Sequence, residues 1–498
     1  MTAMPAATRI DWFALAPELT LLATALAVLF TELFLTGPRK RFVNPIATVG
    51  VAAALGWVVA LALDGGRRAA FGNMFVVDAY ALLFKVFFLA TALFVLFVSY
   101  RYFQEIRTYQ GEYYFLLLSA FLGMLLMPSA RDLVMIFVAL ELVSVPGFVM
   151  AGLRKFDLRS TEGALKFFMF GVLSAAVLLF GLSIVYGVTG TTDLVGVAAR
   201  LADAPRDPIL LASLLFVIVG FGFKVSAVPF HFWAPDTYEG SPVPVTAFLS
   251  VASKAAGFAG LLQVCFVAFL PLADVWAPIL GVVAVLTMTL GNLTALQQRN
   301  IVRLFAYSSV AHAGYMLVPF ALARPLGADP DAAAINAQAF ASVLIYLLAY
   351  SVMNIGAFAV VTAMARRHPE RLVRDYAGLG ARSTGMALAL TVFLLSLGGV
   401  PPAVGFWAKF FIFVAAANAS NYVLAAAVVV NSVIAMFYYL AVARTAWMDA
   451  PVEPEPIRPG LALNFAITCL ALVALGVFFL PDAFAGFAGA STLVSAAP

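Results

Sequence analysis

Fourteen stretches of about 20 predominantly apolar residues follow one another along this chain, and each can cross a bilayer as a helix. They fall near residues 13–35, 46–63, 76–100, 113–127, 131–152, 163–187, 209–232, 243–270, 274–296, 301–322, 340–365, 385–413, 423–447 and 462–480. The fourth is short and must begin at the interface near Glu112 or be screened by its neighbours. Hydrophobic residues make up 64% of the chain, charged residues 11%, and the mean hydropathy is +1.01. No soluble fold uses that much apolar surface. The reading is an all-α integral membrane protein with about 14 transmembrane helices.

The connections are short. The largest hydrophilic stretches, 188–208 and 366–384, leave no room for a nucleotide or flavin domain, and no Gly-rich strand-to-helix fingerprint occurs. Redox or ATP chemistry must therefore come from partner subunits. Cys265 and Cys469 stand alone in apolar runs, so they imply neither an iron–sulfur cluster nor a disulfide framework. Met1–Trp12 carries only Arg9 and Asp11 as charges and does not read as a cleavable signal. The net charge of +4 is too small to suggest nucleic-acid binding. Its distribution says more. Counted with the span ends that adjoin them, the loops after the odd-numbered spans hold 17 Lys/Arg, and the termini and the other loops hold 7. The positive-inside rule then puts the odd loops in the cytoplasm, with both termini on the other side.

Two spans are interrupted by proline. In the seventh, Pro229 is followed by Phe230-His231-Phe232-Trp233-Ala234-Pro235. In the twelfth, Gly398-Gly399-Val400-Pro401-Pro402 precedes Phe406-Trp407-Ala408-Lys409. Proline removes a helix hydrogen bond, and the freed carbonyls are tolerated at membrane depth only where they face protein or water. Two breaks five spans apart, each with a Phe-Trp-Ala triplet and a nearby lysine, suggest a duplicated unit. Five is odd, so the copies lie inverted in the membrane. The division is three helices in 1–112, a first five-helix repeat in 113–270, a second in 271–447, and a last helix in 448–498.

Charges inside the spans cost roughly 2.5–3.5 kcal/mol each even on a lenient insertion scale. This chain keeps Lys85, Lys166, Lys224, Lys254, Lys409, Glu32 and Glu141 there. A membrane protein that accepts them is a candidate for moving protons or small cations. Burial disfavours the charged form of a lysine and a carboxylate favours it, so a buried lysine with a movable partner can load and release a proton. Lys224 and Lys254 are the leading candidates, with Glu141 as the available partner and Lys409 as the group of the second break. The plainer alternative for each is a static ion pair or snorkelling to the interface. Snorkelling competes evenly at Lys166, near the end of its span, and Lys85 and Glu32 are weaker still. His231 and His312 are either relays or polar structural contacts. A haem between helices would need a second histidine pair.

The run His231-Phe232-Trp233-Ala234-Pro235-Asp236-Thr237-Tyr238-Glu239-Gly240-Ser241-Pro242-Val243-Pro244-Val245-Thr246-Ala247-Phe248, continuing through Leu249–Lys254, resembles the signature of one family. It is the N-subunit family of proton-pumping NADH:quinone oxidoreductases, the relatives of mitochondrial NADH dehydrogenase subunit 2. Asn300–Tyr315 and Gly399–Phe411 resemble it too, and the likeness runs over essentially the whole chain. The related L and M subunits and the Mrp-type antiporters share the breaks and lysines. They generally lack Tyr-Glu-Gly-Ser-Pro after span 7, the M subunit usually carries glutamate where this chain has Lys409, and the L subunit carries a long lateral C-terminal helix. Plastoquinone-reducing relatives have a very similar loop.

The resemblance implies a relay in which Glu141, Lys224, Lys254 and Lys409 match family positions, as do Lys166 and His231. It implies other membrane subunits as partners, protons as cargo, and no cofactor in this chain. NADH, FMN, iron–sulfur clusters and quinone would sit in partner subunits. The alternative readings are an Mrp-like cation/proton antiporter subunit or a stand-alone secondary transporter.

Overall fold

In the computed structural model, residues 10–35, 37–106, 110–327, 329–451, 455–482, 486 and 489 are described. The termini, and so their expected side of the membrane, lie outside the described residues. Short polar side chains start many of the helices. Asp132, Asp157, Asp193, Asp207, Asn300 and Asn421 each accept a hydrogen bond from a backbone N–H of the first turn.

The helices run α1 (Ala16–Phe34), α2 (Val43–Asp64), α3 (Ala79–Ile106), α4 (Gln110–Leu126), α5 (Leu133–Ala151), α6 (Leu158–Thr189), α7 (Leu194–Ala202), α8 (Pro208–Val225), α9 (Trp233–Gly240) and α10 (Val243–Phe248). They continue as α11 (Lys254–Gln263), α12 (Ala273–Ala295), α13 (Ile301–Leu317), α14 (Ala332–Ala365), α15 (Leu379–Arg382), α16 (Thr384–Gly398), α17 (Val404–Asn418), α18 (Tyr422–Met448) and α19 (Leu461–Gly476). Thirteen stretches among the described residues are long and apolar enough to cross a membrane, and the shorter α16 and α17 together make the expected twelfth span. Span 11 begins earlier than expected, at Ala332, because alanines carry the helix through the polar approach. The 188–208 connection folds its middle into α7. A small antiparallel hairpin, β1 (Arg68–Ala70) with β2 (Phe75–Val77), was not legible in the sequence.

Span 8 is one continuous helical rod made of α10, a π turn (Leu249–Ser253), α11 and a second π turn (Val264–Ala268). With α13 and α14 it forms the buried centre, while α1, α2, α6, α18 and α19 are more exposed. Helices α12 and α13 approach closely through small residues: a Cβ on Gly314 would come 2.9 Å from the Ala284 oxygen, and one on Gly291 2.9 Å from the Tyr307 oxygen. That contact fixes α13 on α12, and the bond from Lys254 to the Ser309 carbonyl ties α13 to the central rod.

The connections gather at two poles. At one, Arg154 donates to the Gly240 carbonyl at 2.7 Å, Arg371 to the Glu239 carbonyl at 2.7 Å, and Asn300 pairs with Leu372. These are the loops after spans 5, 7, 9 and 11. At the other, Arg131 pairs with Asp78 at 2.6 Å, the Leu133 N–H reaches the Thr192 carbonyl at 2.8 Å, and Arg206 pairs with Asp274. These are the loops after spans 2, 4, 6 and 8. The alternation of loops is therefore visible in the contacts themselves.

Candidate proton-relay site

A line of polar side chains crosses the apolar interior. It begins on α5, where Glu141 and Ser144 lie one turn apart. Lys224, in the last turn of α8, donates to Ser144 Oγ at 2.6 Å. Among the described residues Glu141 makes no direct ion pair with Lys224, and Ser144 is the side chain that Lys224 meets. The Ser144 hydroxyl itself donates to the Leu140 carbonyl at 2.7 Å.

Helix α11 passes directly over Lys224. A Cβ on Gly257 would lie 3.0 Å from Lys224 Cγ, so glycine is what lets the two helices close here. One turn earlier on α11, Lys254 donates to the Ser309 carbonyl at 2.7 Å and to Ser309 Oγ at 2.6 Å. Lys254 follows immediately on a π turn, a feature common at functional sites. Ser309 belongs to α13, which also carries Ser308 and His312. The His312 ring has the Tyr346 hydroxyl 2.8 Å from Nδ1 and the Tyr439 hydroxyl 3.1 Å from Nε2. Lys409, on α17, donates to the Gly398 carbonyl at 2.8 Å and lies 4.9 Å above the Tyr315 ring. Lys224, Lys254 and Lys409 are 3%, 2% and 7% exposed, which rules out snorkelling for all three.

The two breaks serve these lysines differently. At the end of α8, Ser226 takes a left-handed conformation, and the Ala227 N–H returns to the Gly222 carbonyl at 2.8 Å. Trp233 Nε1 closes on the Phe223 carbonyl at 3.1 Å. Protein donors thus occupy these freed carbonyls. At the end of α16, Gly399 takes the left-handed role, and the Gly398 carbonyl goes to Lys409 instead. The second Phe-Trp-Ala triplet also differs. Trp407 lies inside α17 and donates to the Phe478 carbonyl at 2.9 Å.

The remaining expected residues stand apart from the line. Lys166 is bound to Glu162 and to Asp236, each at 2.6 Å, at the pole formed by the odd loops. Arg303 reaches the same Asp236 at 2.7 Å and Glu239 at 2.9 Å. Burial would raise the Asp236 carboxyl, but Lys166 and Arg303 hold it below the usual carboxylate range. His231 is buried beside the first break, with Nδ1 lacking a partner among the described residues. Lys85 pairs with Glu18 at 2.7 Å in the N-terminal helices, and Glu32 pairs with Lys40. Sequence reasoning missed Glu18, Ser144, Ser308, Ser309, Tyr346 and Tyr439. The usable signal was spacing: Ser144 stands three residues after Glu141, and Ser308, Ser309 and His312 share one helix flank. No group of three or more His, Cys, Asp and Glu that could hold a metal occurs among the described residues.

Residues 130–435 match the family described as NADH:quinone oxidoreductase/Mrp antiporter, transmembrane. NADH-quinone oxidoreductase subunit N 1 of Koribacter versatilis is 40% identical, over 97% of this chain and 96% of its own length. Subunit N 2 of Streptomyces griseus is 44% identical, over 86% of this chain and 81% of its own. A chain of respiratory complex I from Thermus thermophilus superposes with a TM-score of 0.78 at 32% identity, covering 95% of this chain and 99% of that one. The whole-length likeness to N subunits joins the split helices and their lysines, and the chain belongs to the NADH-quinone oxidoreductase subunit N family.

Proposed function

We propose that this chain translocates protons across the bacterial inner membrane as a subunit of an NADH:quinone oxidoreductase, through the buried line from Glu141 to Lys409. NADH, FMN, iron–sulfur clusters and quinone belong to partner subunits, where quinone reduction supplies the energy. The observation that carries this reading is the setting of Lys254. Among the described residues its partners are a hydroxyl and a carbonyl, with no carboxylate. Such a lysine can exist as ammonium or amine without orphaning an opposite charge. As an amine it still donates to the Ser309 carbonyl and accepts from the Ser309 hydroxyl.

The proton is taken up near Lys166 and His231, on the pole of the odd loops. The 17:7 charge bias makes that pole cytoplasmic. It loads Lys224, whose charge Glu141 stabilises across Ser144. It continues through Lys254 and His312 to Lys409 and leaves on the opposite side. Residues 113–270 and 271–447 act as the two inverted repeats, flanked by 1–112 and 448–498, each repeat supplying one split helix.

The test uses the assembled complex in membrane vesicles. Lys254→Ala should abolish pumping and depress quinone-linked NADH oxidation, while NADH oxidation by a soluble artificial acceptor survives. Loss of both activities in a fully assembled complex would count against the reading. So would purification of this chain without flavin and iron–sulfur subunits, the behaviour of a stand-alone transporter.

A further inference from the structure

The stretch between Lys254 and Lys409 is bridged by hydroxyls around one imidazole. His312 is held on both ring nitrogens, by Tyr346 at 2.8 Å and Tyr439 at 3.1 Å. The Tyr439 hydroxyl also lies 2.5 Å from Ser308 Oγ. Ser308 and His312 are four residues apart on α13, so a single hydroxyl from α18 can span them. All four side chains are buried. The neighbouring Tyr438 donates to Asn292 Oδ1 at 3.0 Å and packs on Tyr439 with ring centres 4.3 Å apart, which fixes the Tyr439 ring. At one end Ser308 adjoins Ser309, the partner of Lys254. At the other, the Tyr346 ring stacks on Tyr315, over which Lys409 sits.

Resting on the relay reading above, we propose that Tyr439 is itself a proton-transfer member of the relay: with Ser308 it sets which nitrogen of His312 bears the proton, and so makes this segment pass one proton per reset. A neutral imidazole has one N–H and one bare nitrogen, and a tyrosine hydroxyl has one proton to donate. Only two patterns satisfy the cluster. In the first, Ser308 donates to Tyr439, Tyr439 donates to Nε2, and the Nδ1–H donates to Tyr346. A proton reaching Ser308 Oγ drives a shift: Ser308 gives its own proton to Tyr439, Tyr439 gives its proton to Nε2, and Nδ1 gives its proton to Tyr346. Tyr346 releases one proton towards Lys409. One proton has gone in, one has come out, and no group keeps a net charge. The second pattern remains, with the Nε2–H donating to Tyr439 and Tyr439 donating to Ser308. The hydroxyls must turn and the ring must flip before the next proton passes.

The experiment compares Tyr439→Phe, Ser308→Ala, Ser308→Thr and Lys254→Ala in assembled complex at matched levels. It measures quinone-linked NADH oxidation and pumping in H₂O and D₂O. Tyr439→Phe and Ser308→Ala should slow turnover on the order of tenfold, short of the ~10²-fold typical of losing a proton-transfer group because water can replace a hydroxyl. Both should enlarge the solvent isotope effect. Ser308→Thr keeps the hydroxyl and should retain most activity. Parental turnover and isotope effect in Tyr439→Phe, with pumping lost in Lys254→Ala, overturn this inference and leave the relay reading standing. Slow turnover with an unchanged isotope effect, and no difference between the two Ser308 variants, also overturns it. Parental pumping in Lys254→Ala brings down the relay reading itself.

Discussion

The five lysines placed inside the spans divide by the partner each Nζ meets. Lys224, Lys254 and Lys409 meet a serine hydroxyl, a serine and its carbonyl, and a glycine carbonyl. Lys85 and Lys166 meet carboxylates. A buried ion pair is strongly damaged by losing one member, at about 3–5 kcal/mol, because the other is left charged and unpaired. Lys85→Met should therefore reduce assembly sharply. Replacing both members, Lys85→Met with Glu18→Leu, should restore assembly and normal pumping, measured as complex recovered per membrane and protons moved per NADH. A pair essential to proton transfer would stay inactive in the double variant. The lysines were legible in the sequence because a charge in an apolar run is an anomaly that needs a reason. Ser144 and Ser309 were not, since a serine hydroxyl can satisfy itself on its own helix, as Ser144 does on the Leu140 carbonyl, and Tyr439 was not, since a tyrosine in an apolar run reads as packing. Only tertiary packing shows which hydroxyls also face a lysine or a histidine.

At the scale of elements, the two proline breaks were legible because proline forbids the helix outright, whereas the π turns around Lys254 carry no breaker residue and were not. The break before α17 shapes its lysine through one glycine. Gly399 has φ +86°, and a Cβ there would lie 2.8 Å from Lys409 Cδ. An L-residue in that left-handed region costs roughly 1–2 kcal/mol. Its methyl must also push the lysine away from the Gly398 carbonyl. Gly399→Ala should thus lower the thermal midpoint of the solubilised complex modestly and cut quinone-linked turnover more than that destabilisation explains. Gly385→Ala, on α16 with nothing near its would-be Cβ, should do neither. Full turnover in Gly399→Ala would mean that the Lys409 position tolerates displacement, and the break would then be only a structural joint.

For the whole molecule, the pattern of contacts and the pattern of charge are independent, and together they support the proposed orientation. Hydrogen bonds and ion pairs join the loops after odd spans to one another and those after even spans to one another. This needs no assumption about the membrane, but it cannot say which pole faces the cytoplasm. The proposed assignment rests on the Lys/Arg bias, because positive loops are retained on the cytoplasmic side. The direction of the relay depends on that assignment. Phe156, between α5 and α6, is 90% exposed at the positive pole, and Val195 on α7 is 47% exposed at the other. Cys265 is buried and Cys469 lies within α19, so the parental chain serves as the blank for a water-soluble maleimide that cannot cross membranes. Phe156→Cys should be labelled in inverted vesicles and protected in right-side-out cells, and Val195→Cys should show the reverse. Exchange of the two patterns would turn the molecule over and make proton uptake begin at Lys409. Labelling of both from one side would break the alternation of spans, and with it the inverted pairing of the two split helices.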